Sequence, residues 1–132
     1  MNLVRIALRS TCTLTLAAVL STGCGKGADQ PAGIAVSPAA QAEADQKWGT
    51  CVTCHGEKGD GNGIAGAALT PKPRDFNASA WQKATDDAAI TKIILEGGMA
   101  VGKSALMPAN VDLKDKPEVV AALVKKVRSF AK

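Results

Sequence analysis

An all-α domain is what this sequence predicts, on three observations. Apolar residues recur at helical spacing in two segments: Ala89, Ile90, Ile93 and Ile94, then Val120, Leu123, Val124, Val127 and Phe130. Residues that start and stop helices bracket the periodic stretches, Ser37-Pro38 at one start and Gly97 at one stop. Strand-type alternation of apolar and polar residues is scarce. At 132 residues the chain allows one domain.

The elements follow in order. Ser37 is the expected N-cap of a first helix, with Pro38 at its first position, where a missing N–H costs nothing. That helix runs through Ala39, Ala40, Ala44 and Trp48 towards Cys51. The segment from Gly56 to Gly66 holds Gly56, Gly59, Gly61, Gly63 and Gly66 and reads as a tight loop. A phosphate cradle would want a preceding strand and a Walker lysine-serine pair, and neither is present. Leu69 to Phe76 is extended or turn-like, because Pro71 and Pro73 disfavour helix at the residues before them. Thr85 is the expected cap of a helix over Asp86 to Glu96, with two acids in its first turn. A loop with Gly98, Gly102 and Pro108 follows. The last helix is expected to begin at Asp115, with Glu118 three residues on completing a capping box.

Cys51-Val52-Thr53-Cys54-His55, at the end of the first helix, carries the chemistry. C-x-x-C-H is the attachment motif for c-type haem. Two thiols separated by two residues lie on one helical turn and can add across the two vinyl groups of the porphyrin. The histidine that follows places its imidazole under the ring as the proximal iron ligand. The competing readings are weaker. A zinc site needs four ligands, yet the other cysteines, Cys12 and Cys24, lie in an N-terminal targeting segment, and His55 is the only histidine. A thioredoxin-type pair wants a βαβ context, and a disulfide between residues three apart would be strained. With two Trp, two Phe and no Tyr, the chain has little large apolar mass of its own, which suits a core built around a cofactor.

The N-terminus reads as an export signal. Arg5 and Arg9 are followed by a short apolar stretch, Leu14 to Leu20, well under the roughly 20 residues that span a bilayer. It ends in Leu20-Ser21-Thr22-Gly23-Cys24, which resembles the lipobox of bacterial lipoproteins, with Ser21 where Leu is commoner. That resemblance implies cleavage before Cys24 and lipidation of its thiol. The alternative is an ordinary secretory signal cut near Gly23 or Ala28. Gly25 to Val36, rich in Gly, Ala, Pro and Gln, is a flexible tether of 12 residues with a typical reach of about 20 Å. Once Arg5 and Arg9 leave, 14 basic and 12 acidic residues remain. Two haem propionates would bring that balance close to neutral. No basic stripe with interleaved aromatics supports nucleic-acid binding.

A lone histidine rules out bis-histidine coordination, so a second axial ligand has to come from Met99 or Met107. Filling gaps in a core is the commoner role for methionine. Met107-Pro108 lies in an inter-helix loop that can present a side chain across a ring, and Pro108 stiffens it. Met99 directly follows the Gly97-Gly98 stop and is less well placed.

From about Ala40 to Lys132 the chain resembles a class I cytochrome c. The matching elements are the helix ending in Cys51-x-x-Cys54-His55-Gly56, the Gly-rich loop, Ile93 to Gly98, the Met107-Pro108 loop and the amphipathic last helix. The resemblance implies a small cytochrome c fold of three to four helices around one covalent haem c. It implies Cys51, Cys54, His55 and Met107 as cofactor-binding residues, His55 and Met107 as iron ligands, and no catalytic residue. It further implies that Ala44 and Trp48 meet Leu123, Val127 and Phe130. A loop carbonyl around Leu69 to Pro71 would accept the proximal histidine's N–H. The chain then divides into a signal peptide (1–23), a lipidated cysteine with its linker (24–37) and a cytochrome c domain (38–132). With both axial positions filled, the expected function is electron transfer, not enzymatic. It would be a membrane-tethered carrier of single electrons between a redox donor and acceptor, on the periplasmic or cell-surface side. The alternatives are a haem subunit of a larger oxidoreductase complex, or a haem enzyme or sensor with an open distal site.

Overall fold

A computed structural model describes residues 33–132. The expected signal peptide, Cys24 and the tether as far as Ala32 lie outside the described residues. Four α-helices form the domain: α1 (Pro38–His55), α2 (Ser79–Ala84), α3 (Asp87–Glu96) and α4 (Pro117–Arg128). Single 3₁₀ turns at Met99–Val101 and Val111–Leu113 punctuate the α3–α4 connection. No strand occurs among the described residues. The all-α class holds.

α1 begins as its sequence predicts. The Ser37 hydroxyl accepts from the Ala40 N–H at 3.3 Å, and Pro38 occupies the first helical position. The buried positions before the Cys51–His55 turn are Ala40 and Ala44, small residues four apart on one face. Small side chains let α4 approach closely, and the α1–α4 contact is the most extensive between helices. α4 packs on this row and also on α3 and the second 3₁₀ turn, and it buries Val119, Val120, Ala122, Leu123, Val124 and Val127. Each buried Val or Leu contributes about 1.5–3 kcal/mol, so α4 supplies a large part of the core's stabilisation. Trp48 stacks on Phe130 at 5.6 Å between ring centroids, as the resemblance implies.

Two helix starts differ from expectation. α3 is capped by Asp86, whose carboxylate accepts from the Ala89 N–H at 2.7 Å, and Thr85 instead ends α2. α4 starts at Pro117, not Asp115, with no side chain capping it. The proline holds the first helical position and disfavours helix at the residue before it. Glu118 is therefore at the second helical position, one residue short of the third position that a capping-box acid occupies. Its carboxylate accepts from the Ser37 N–H at 2.9 Å, joining the starts of α1 and α4. Val36 also packs partly buried against the core. The last residues of the expected tether are thus docked on the domain.

α2 was not expected, being too short to show a period. Its Gln82 donates to the carbonyls of Phe76 at 2.7 Å and Val127 at 3.0 Å. Arg128, in the last turn of α4, ties the region together. It donates to Asp87 at 2.7 Å, to the Gln82 carbonyl at 2.7 Å, to the Gln82 side-chain oxygen at 2.8 Å and to the Thr85 carbonyl at 2.5 Å. Arg128→Ala leaves these half-buried acceptors without their charged donor. It is expected to cost about 2 kcal/mol, lowering Tm by on the order of 10 °C for a domain of this size. Arg128→Lys should recover little, since an ammonium cannot reproduce the fork. Thermal melts of the two variants against wild type check this.

Candidate haem site

Cys51, Cys54 and His55 occupy the last turn of α1, and the chain reverses at Gly56. Both cysteines are free thiols and half-buried. The Cys51 thiol donates to the Lys47 carbonyl one turn earlier, at 3.6 Å. Burial pushes its pKa up, against the opposing pull of the Lys47 ammonium, so the sulfur rests as a neutral thiol.

His55 is buried, at 9 % exposure. Burial pushes its pKa down, and a backbone carbonyl at Arg74 only partly offsets this. The ring therefore stays neutral at pH 7, the form that ligates a metal. Nδ1 lies 3.5 Å from the Arg74 carbonyl oxygen. A carbonyl can only accept, so Nδ1 carries the proton, and Nε2 is the nitrogen with a lone pair to offer. The accepting carbonyl belongs to Arg74, after the second proline, and not to the Leu69–Pro71 segment expected for it. The Phe76 N–H donates to the Gly59 carbonyl at 2.7 Å, which pins the Arg74 end of the segment, rather than its Leu69 end, beside the imidazole.

The Gly-rich loop is packed directly onto this turn. Gly61 donates to the His55 carbonyl at 2.9 Å, Gly63 to Cys54 at 3.1 Å and Ala65 to Thr53 at 2.9 Å. These are the carbonyls a helix end leaves unpaired, so the loop acts as the C-terminal cap of α1. A Cβ at Gly63 would come 2.4 Å from the Thr53 oxygen, and one at Gly66 would come 2.1 Å from the Cys54 oxygen. These N–H groups point into the helix end and are unavailable to a phosphate, which agrees with the tight-loop reading.

Met107 is on the α3–α4 connection, which is laid onto the end of α3. Gly98 donates to the Met107 carbonyl at 3.0 Å. Asn110 Nδ2 donates to the Ile94 carbonyl at 2.7 Å. Gly97 ends α3 at φ 78°, and a Cβ there would sit 2.9 Å from the Met107 oxygen. Met107 is half-buried, whereas Met99 is 72 % exposed on its 3₁₀ turn. No hydrogen bond among the described residues joins Met107 to the Cys51–His55 turn. The large exposed apolar side chains Ile64 and Leu106 belong to the Gly-rich loop and the Met107 loop respectively, with Val111 just beyond the latter.

No family model matches the chain, and neither a curated protein nor a solved structure does so.

The donor set fits a haem on its own chemistry: two free thiols one turn apart, and an adjacent neutral imidazole with Nε2 free. Among the described residues no group of three or more His, Cys, Asp or Glu side chains converges as ligands of a bare metal ion do. No described helix is long and apolar enough to cross a membrane. The sequence singled out the thiols and the imidazole. It missed the Arg74 carbonyl and Phe76, whose ring stacks on His55 at 4.6 Å. Neither carries a local signal, because both reach His55 only through the path of the loop.

Proposed function

We propose that this chain is a monohaem c-type cytochrome of the class I type, tethered to a membrane through lipidated Cys24 and carrying single electrons between redox proteins outside the cytoplasm. The observation that carries the reading is the last turn of α1, where Cys51, Cys54 and His55 sit together with Nδ1 of the buried imidazole on a backbone carbonyl.

Cys51 and Cys54 Sγ would hold the porphyrin through thioethers, and His55 Nε2 and Met107 Sδ would hold the iron. The haem, when bound, supplies a one-electron ferrous/ferric couple. The chain's own part is to keep that couple in place and dry. The Arg74 carbonyl fixes the His55 tautomer and makes Nε2 a better donor. Apolar side chains such as Ile64 and Leu106, on the two loops, would give up their water to the porphyrin faces. No bond to a substrate is made or broken, so neither donor nor acceptor needs a catalytic residue here.

A redox titration followed by absorption spectra tests the reading. The expected result is one covalent haem per chain, a single one-electron transition, and the weak far-red ferric band of methionine–iron coordination. Absence of bound haem overturns the proposal. A five-coordinate high-spin ferric spectrum would favour the open distal site of an enzyme or sensor.

The anchor has its own test. Wild type should fractionate with membranes and show a lipid-modified N-terminus at Cys24 by intact mass spectrometry, since two or more acyl chains hold firmly. Cys24→Ala should leave the haem domain unchanged but release it. A Cys24→Ala protein that remains on membranes contradicts the anchor alone.

A further inference from the structure

All four Phe and Trp residues of the chain gather in one cluster, and the only histidine is stacked at its edge. Phe76 is the member that touches it. Its ring centroid lies 4.6 Å from that of His55 with the planes 16° apart, so the rings are nearly parallel. Phe76 in turn is held on every side. Its N–H donates to the Gly59 carbonyl at 2.7 Å, and its carbonyl accepts from Gln82 Nε2 at 2.7 Å. The residue is 7 % exposed, and its ring meets Trp81 at 5.4 Å, Phe130 at 6.3 Å and Trp48 at 6.4 Å.

The Nδ1 contact with Arg74, at 3.5 Å, is at the long end of a hydrogen bond. One such contact fixes where Nδ1 points and leaves the ring free to twist about that line. A parallel ring packed against the imidazole face removes the twist. The plane of an axial imidazole matters electronically, because its filled π orbital overlaps one of the two iron d orbitals that contain the axial direction. Turning the plane changes the energy gap between those orbitals and the direction in which the unpaired ferric spin lies. We propose that Phe76 is a positioning residue that sets the plane of the His55 imidazole and thereby the electronic axes of the iron. The proposal rests on the haem reading above and assigns to Phe76 a role that its position in the core does not require.

The test uses purified ferric holoprotein, read by electron paramagnetic resonance and by the paramagnetically shifted haem methyl resonances in proton NMR. Phe76→Leu should keep its haem and its absorption spectrum, while the largest g value moves and the spread of the four methyl shifts changes. Phe76→Tyr, which keeps a ring plane, should retain the wild-type pattern. Trp48→Leu is the packing control. It removes a neighbour of Phe76 that is not stacked on His55, so it should lower thermal stability and leave the g values alone. If Phe76→Leu yields too little protein, Phe76→Met, of similar volume and without a ring, takes its place. Wild-type g values in a haem-loaded Leu or Met variant would overturn the positioning role, as would a Trp48→Leu change as large as that of Phe76→Leu. A wild-type protein carrying no haem would overturn the haem reading and this proposal with it, and the two failures are thus distinct.

Discussion

His55→Ala is expected to leave no stable holoprotein. The chain has no second histidine to take over the proximal position. The substitution also removes the group that joins Arg74 and Phe76 to the end of α1, at 3.5 Å and 4.6 Å. Loss of a partner that merely orients a metal ligand costs about 10–100-fold in affinity, and loss of the ligand itself should cost at least as much. Haem-stained gels of the exported fraction should show a band reduced by at least that factor. Cys51→Ala and Cys54→Ala should be milder, each retaining one thioether and lowering the yield of mature protein. Wild-type amounts of a His55→Ala holoprotein with an unaltered spectrum would contradict the haem reading.

Met107→Ala is the change expected to move the redox potential most. The haem should stay attached, since both thioethers and His55 are untouched, while the distal position opens or takes another ligand. Thioether ligation favours ferrous iron, so the potential should fall by on the order of a few hundred mV, within the roughly 0.8 V that axial ligands span. The far-red ferric band should disappear with it. Met99→Ala should leave both unchanged, because Met99 stands 72 % exposed on its own turn. Met107 instead belongs to a loop held on the end of α3 through Gly98 and Asn110. A potentiometric titration of the two variants decides the assignment, and swapped results would give the ligand role to Met99.

Legibility from sequence followed the range of the interactions. The start of α1 and the end of α3 were readable because Ser37, Pro38 and Gly97 act on their own or adjacent turns. The α4 stripe was readable because six of its residues are buried against the rest of the domain. The start of α4 was misread by two residues. The local pattern Asp115–Glu118 suggested a box, but Pro117 took the first helical position, and Glu118 found a partner 81 residues away at Ser37. α2 was missed because its hydrogen bonds, from Gln82 to Phe76 and Val127, are tertiary.

The candidate site divides in the same way. The sequence by itself determined its chemistry: two thiols and an imidazole within five residues on a helix end, a single histidine, and Met107 beside a stiffening proline. Those are covalent facts about which atoms exist and how far apart one helical turn can hold them. Only the tertiary structure decided the environment of those atoms. It buried His55 so that the ring stays neutral, aimed Nδ1 at the Arg74 carbonyl, and brought Phe76 flat against the imidazole. It also folded the Gly-rich loop onto the open carbonyls of Thr53, Cys54 and His55. Desolvation and stacking depend on what packs from elsewhere in the chain, and a carbonyl accepts from whichever donor the loop brings near. A local pattern of residue types carries none of that information.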